Sequence, residues 1–178
     1  MTAVGATIAA MTIVLRRMTR EAAEAILAGE RPRDVRVADD YPTEFSSGVA
    51  EAALGTEPQF GCFFIHRPED DVVVGDIGAA FIDDAGTLEI GYAVVESQQR
   101  RGYATAAVEA LVAEIREAPE ARRVVAHTPL DRPESARVVK KAGFAMLRET
   151  DDVDEQGNTL RVKEWELALR TPRKPSRD

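Results

Sequence analysis

The residues with the clearest capacity for chemistry form one run. It reads Leu88-Glu89-Ile90-Gly91-Tyr92-Ala93-Val94-Val95, then Glu96-Ser97-Gln98-Gln99-Arg100-Arg101-Gly102-Tyr103-Ala104-Thr105. The first half alternates as a half-buried strand, with Leu88, Ile90 and Tyr92 on one face and Glu89, Gly91 and Ala93 on the other. A lone carboxylate between small residues suits the floor of a cleft; the alternative is a charge on the strand's solvent face. The second half turns from strand into helix. The opening of a helix carries unpaired N–H groups and a partial positive charge. Gly102 and Ala104 leave those groups open to close approach, and Arg100 and Arg101 add charge in an otherwise acidic chain. The stretch therefore reads as a seat for a diphosphate. No G-x-x-x-x-G-K-S/T run occurs, which excludes a P-loop, and the lack of G-x-G-x-x-G after a strand speaks against a dinucleotide fold.

The surrounding pattern supplies the elements that must hold such a seat. Strands are expected over 12–16, 60–66, 72–82, 87–95, 123–128, 144–149 and 160–169, from β-rich runs bounded by turn residues. Helices are expected after an N-cap at Thr19, over 45–54, over 104–116 and over 135–141. Residues 31–44, with Pro32 and Pro42, read as loop, and 151–158 as an acidic turn. The order β α α β β β α β α β β predicts a single α/β domain, with a meander on one side of a central β–α–β unit.

Composition narrows the function. The 178 residues suffice for one domain, which at this size buries roughly 70% of its unfolded surface. Lys plus Arg number 23 against 31 Asp plus Glu, a net charge of −8. That balance argues against a nucleic-acid partner and mildly favours a cationic one. The single cysteine, Cys62, excludes an intramolecular disulfide and a zinc site of paired thiols, so the reading is cytoplasmic. No apolar run is long enough for a membrane span. Residues 1–10 read as a loosely held extension, 11–170 as the domain, and 171–178 as a disordered tail.

The run Gln99-Arg100-Arg101-Gly102-Tyr103-Ala104 resembles the Q/R-x-x-G-x-G/A signature of the GNAT superfamily of acyl-coenzyme A N-acyltransferases. Its setting strengthens the resemblance: an E-I-G-Y strand precedes it, and an amphipathic helix and a strand follow. The block Arg132-Pro133-Glu134-Ser135-Ala136-Arg137-Val138-Val139-Lys140-Lys141-Ala142-Gly143-Phe144 is similar to the N-P-x-S-x-x-V-x-x-x-x-G-F block of the branch that acetylates ribosomal-protein N-termini and many small amines. The match is strong over about residues 87–150. It implies a mixed, mostly antiparallel sheet, splayed at its centre between 87–95 and 123–128, and flanked by helices. It also implies acetyl-CoA as co-substrate, no metal, and an acceptor that is a small amine or a peptide N-terminus. A homodimer stays open.

The resemblance assigns roles position by position. Ala93, Val94 and Val95 would offer backbone groups to the pantetheine arm. The backbone of Arg100, Arg101, Gly102, Tyr103, Ala104 and Thr105, with Gln99 beside it, would hold the pyrophosphate. Glu89 aligns with the carboxylate that acts as general base in several members. Ser135 matches the serine proposed to protonate the departing thiolate; the alternative is a helix N-cap at Ser135 or Asp131. Other members use a tyrosine four residues before the Gly of the G-F pair, a position held here by Val139. Arg132 stands where the family usually has Asn, and would contact the arm or turn to a phosphate. His66 and His127 read as satisfied strand histidines, although His127 sits near the proposed cleft. Cys62 reads as a small buried hydrophobe, and Tyr41, Glu44 and Phe45 as liners of an acceptor pocket. The expected activity is acetyl transfer to a primary amine by direct attack. Its alternative is a non-catalytic coenzyme A-binding sensor or scaffold, motivated by Arg132. A protein-interaction domain with a vestigial cleft would bind no coenzyme A.

Overall fold

The computed structural model describes residues 7–10, 12–55, 59–153 and 157–169. Along the chain come β1 (Thr7–Ala10), β2 (Ile13–Arg17), α1 (Arg20–Leu27), α2 (Ser46–Leu54), β3 (Gln59–Arg67), β4 (Val72–Phe81) and β5 (Thr87–Val94). After a 3-10 turn at Glu96–Gln98 follow α3 (Tyr103–Glu117), β6 (Arg123–Pro129), α4 (Pro133–Lys141), β7 (Ala145–Val153) and β8 (Thr159–Ala168). The strands form one sheet in the order β1-β2-β3-β4-β5-β6-β8-β7. Every pairing is antiparallel except β5 with β6. The mixed, mostly antiparallel, helix-flanked sheet that the resemblance implies is what forms.

Local chemistry explains the elements that carry the site. α1 starts where Thr19 Oγ1 accepts the N–H of Ala22 at 3.0 Å, a cap worth about 1 kcal/mol. Its inward stripe is Ala22, Ala23 and Ile26. β4 is buried from Val72 to Ala79, as befits a central strand covered on both faces. Gly75 lets it press against β5: a Cβ there would lie 2.1 Å from the carbonyl oxygen of Ala93. Leu15, Ile65, Ile77, Leu88, Leu111 and Ile115 are fully enclosed in the core, each stabilising the fold by roughly 1.5–3 kcal/mol. Trp165 on β8 donates from Nε1 to Thr128 Oγ1 at 2.8 Å, tying β8 to β6.

The two faces of the sheet carry different layers. α2 covers the face of Gly78, where Val49 lies 3.6 Å from a Cβ built there. Tyr92 points to the other face, and its hydroxyl donates to the carbonyl of Ser135 on α4 at 2.9 Å.

Three expectations change. β7 runs on to Val153, so Asp151 and Asp152 are strand residues paired with Arg161 and Leu160; cross-strand pairing outweighs their low strand propensity. Residues 154–156 of the expected turn lie outside the described residues. The fourth helix opens at Pro133, with Arg132 at its N-cap position and no side-chain cap. Proline is favoured at that first helical position, so neither Ser135 nor Asp131 caps the helix. Within the segment read as a loose extension, residues 7–10 pair with β2. Residues 1–6 and the tail 171–178 lie outside the described residues.

Candidate active site

The site begins where two neighbouring strands part. β5 and β6 are in register only at Thr87↔Arg123, Leu88↔Val124 and Glu89↔Val125. Beyond that, β5 follows β4 to Val94 and β6 follows β8 to Pro129. The wedge between them opens into a cleft of about 1090 Å³ that reaches from α2 and its preceding loop to the start of α3 and α4.

The edge of β5 along this wedge has backbone groups without a sheet partner. Within an antiparallel pair, alternate residues turn their N–H and C=O to opposite sides. Val95 donates its N–H to Val74 at 2.9 Å and accepts from Gln98 at 3.0 Å. Its backbone is therefore engaged, which corrects the expectation of free groups there. Ala93 has the same parity and turns to β4 as well. Tyr92 and Val94 face the gap. The carbonyl of Val94 is met by Gln99 Nε2 at 3.1 Å, so the exposed Gln99 side chain presently covers part of that edge.

The stretch read as a diphosphate seat is the opening of α3. Gly102 occupies the N-cap of α3 with φ +85°, and no side chain caps the helix. A Cβ at Gly102 would meet nothing within 4 Å, so the seat is open. The amides of Tyr103, Ala104 and Thr105 fall in the first turn, where no intrahelical acceptor exists. Arg100 is itself left-handed, at φ +61°, and it and Arg101 are exposed. The Tyr103 side chain is buried, so only its backbone faces the seat.

Glu89 stands on the α2 face of β5, half-buried, with Oε1 2.7 Å from Nδ1 of His127. The two meet because Glu89 pairs with Val125 and His127 lies two residues further along the same face. The hydrogen bond to Glu89 raises the His127 pKa above its ordinary value, against a smaller opposing effect of burial. Sequence reading did not join these residues. The parallel register was the signal that could have done so. Ser135 is half-buried and lines the cleft on the α4 side.

Arg132 has partners across the cleft. Its Nη2 donates to Glu44 Oε1 at 2.6 Å, and its guanidinium lies 4.4 Å from the centre of the Phe45 ring. It bridges the start of α4 to the loop before α2 and lines the cleft. That loop is anchored from below by Asp76 of β4, which is fully buried and accepts from Tyr41 Oη at 2.9 Å and from the Ser46 hydroxyl. Burial pushes the Asp76 carboxyl up to about 6, against those two hydrogen bonds. Tyr41 thus supports the wall from beneath, while Glu44 and Phe45 line the cleft.

Charges of both signs line the cleft: Glu44, Glu89 and Asp152, with Arg132 paired to Glu44, towards α2, β7 and β8, and Arg100, Arg137 and Lys141, with Glu96 and Glu134, towards α3 and α4. Among the described residues, no group of three or more His, Cys, Asp or Glu could hold a metal ion. No helix among them is long and apolar enough to cross a membrane. Cys62 is buried and its thiol is pushed up to about 11, mainly by burial, so it is no nucleophile. His66 is buried on β3, with Nδ1 on Asp71, away from the cleft.

Comparison with known proteins agrees with this geometry. A family model described as an acetyltransferase (GNAT) domain matches residues 12–145. A provisionally assigned ribosomal-protein-serine acetyltransferase of Vibrio cholerae is 17% identical, with 92% of this chain and 97% of that one covered and a TM-score of 0.68. A spermidine N-acetyltransferase chimera of the Vibrio cholerae and hSSAT proteins is 12% identical, with 89% and 96% covered and a TM-score of 0.65. The microcin C7 self-immunity acetyltransferase, solved with acetyl-CoA and AMP, is 17% identical, with 89% and 93% covered and a TM-score of 0.65. At these identities the likeness is one of fold. Among curated proteins, none matches the sequence.

Proposed function

The chain belongs to the GNAT acetyltransferase family, and from that premise we propose that it acetylates a primary amine carried by a cationic small molecule or a peptide N-terminus. The observation that carries this reading is the wedge between β5 and β6, which leads from the open amides of α3 to Glu89. Its residues fit acetyl-CoA: the Gly102 position is open, the first-turn amides lack acceptors, and a free strand edge lies between them and Glu89. When bound there, acetyl-CoA supplies the activated acyl carbon as a thioester.

The chain's own groups then have separable tasks. The amides of Arg100 to Thr105 hold the diphosphate, aided by the Arg100 and Arg101 charges. The Tyr92 and Val94 edge aligns the arm, with Gln99 releasing the Val94 carbonyl. The N–H of Val94, on the gap-facing edge of β5, would be the donor that steadies the negative charge building on the acyl oxygen. Glu44, Glu89 and Asp152 attract an ammonium group into the other half of the cleft. That ammonium loses a proton at the polar centre around Glu89 before its nitrogen attacks. The Ser135 hydroxyl donates to the leaving sulfur. Ser135 is free for this role because the α4 cap lies at Arg132. The acidic acceptor half favours the cationic amine over a neutral one.

The direct test is a panel of primary amines with acetyl-CoA, followed by release of free thiol. Turnover of polyamine or basic peptide amines above neutral amines is expected. Tight coenzyme A binding with no turnover across the panel would favour a sensor role instead.

A further inference from the structure

The polar centre of the cleft holds a side chain with no assigned part in the reaction, the imidazole of His127. Its Nδ1 is 2.7 Å from Glu89 Oε1, the length of a charge-assisted hydrogen bond. The ring is 27% exposed and lines the cleft, so Nε2 is the nitrogen left for a substrate. His127 lies past the last β5–β6 pair, at the point where the wedge opens. We propose that His127 Nε2 is the atom that takes the proton from the acceptor amine, with Glu89 behind it as the carboxylate that fixes the tautomer. This rests on the acetyl-transfer reading of the same cleft.

Basicity decides between the two groups. An unperturbed carboxylate has a pKa of about 4.3 and an imidazole about 6.5, against roughly 10 for an alkylammonium. The imidazole is thus about two units better matched to the proton it must accept. His127 is strengthened as a base by the hydrogen bond it makes to Glu89. Its Nδ1 is taken up by that bond, so the proton the ring gains goes on Nε2.

The neighbours favour the protonated ring. Glu89 faces it from β5. Glu164 is opposite it on β8 and pairs with Arg148 of β7. Asp152 approaches from β7 and adds to the upward shift. From α2's loop come Glu44 and, through it, Arg132. The α4 charges Glu134, Arg137 and Lys141 line the cleft beyond the sheet. His66 also has a carboxylate, Asp71, at its Nδ1, but it is buried away from the cleft, and burial lowers its pKa.

The proton count closes. One proton of the ammonium moves to Nε2 and leaves to water as the imidazolium relaxes. The amine nitrogen forms its bond to the acyl carbon, the carbon–sulfur bond breaks, and the sulfur takes a proton from Ser135. The nitrogen's second proton restores the Ser135 hydroxyl through solvent.

The test uses the full chain, with spermidine and a basic peptide amine as probes. His127→Gln and Glu89→Gln are compared with wild type by kcat/KM from pH 5.5 to 9.5. Ring titration of the two histidines is followed by NMR with coenzyme A bound, and coenzyme A affinity by calorimetry. The acid limb of the wild-type profile is expected to coincide with the His127 titration, above that of His66. His127→Gln should lose that limb and about 100-fold or more in kcat at pH 7.5, with coenzyme A affinity within about twofold. Glu89→Gln should lower the His127 titration point and move the limb with it. An unchanged limb and turnover within about threefold in His127→Gln would overturn the proposal while leaving acetyl transfer intact. Folded wild-type protein that binds no coenzyme A would remove the acetyl-transfer reading itself.

Discussion

Replacing Asp76 by asparagine should flatten the dependence of stability on pH. Asp76 lies fully buried beneath the loop that walls the cleft, and one of its oxygens, Oδ1, has no hydrogen-bond partner among the described residues. The cost of holding a charge there raises its pKa from 3.8 to about 6. A shift of roughly two units corresponds to about 3 kcal/mol. The sign follows from protonation: the folded state binds this proton more tightly than the unfolded chain. The stabilisation is complete below about pH 4 and is lost as pH rises through about 6. Asparagine keeps a carbonyl acceptor for Tyr41 and Ser46 and never ionises. Urea unfolding, followed by the single tryptophan, Trp165, would be compared at intervals between pH 4 and pH 7. Wild type should lose about 2 kcal/mol relative to Asp76→Asn across that window. Contributions from other groups cancel in the difference. A difference that stays constant from pH 4 to pH 7 would refute the reasoning. Asp76→Ala should be worse than asparagine throughout, because two buried donors lose their acceptor, at about 1–3 kcal/mol each.

Further outcomes follow from the same contacts. Gly102→Val forces a β-branched residue to φ +85°; it should cost about 1–2 kcal/mol in stability and weaken coenzyme A binding in calorimetry, with α3 content unchanged by circular dichroism. Ser135→Ala should lower kcat by about tenfold or more, with coenzyme A affinity preserved. Arg132→Ala removes an exposed ion pair and a ring contact, so melting should report a loss of about 1 kcal/mol. Its kinetic signature should be an altered KM for the amine with coenzyme A binding retained. Trp165→Phe leaves the buried Thr128 hydroxyl without its donor, an expected loss of about 1 kcal/mol in urea unfolding.

The open helix start at Gly102 was legible because backbone defines it. Glycine at 102 and the arginines before it are written in one short run, and a helix N-terminus behaves the same in any fold. Glu89 was legible through alternation within its own strand. The acceptor half was not, because each of its features joins residues far apart in sequence. The Glu89–His127 pair requires the parallel register of β5 on β6. The Arg132–Glu44 bridge spans 88 positions, and spacing along the chain cannot signal it. Asp76 sits in an apolar run, and only the packing of Tyr41 and Ser46 over it explains its presence. The pairing of β7 with β8 likewise outweighed an acidic composition at 151–153 that reads locally as a turn.

The opening between β5 and β6 passes through the sheet. Glu89 and His127 are on the side of α2, and Ser135 and the α3 amides are on the other. On the proposed reading the two reactants have separate doors and meet in a slot between chambers, so each can enter while the other is already in place. Initial-rate plots should then give intersecting lines, as for a ternary complex, with neither product having to depart before the second reactant arrives.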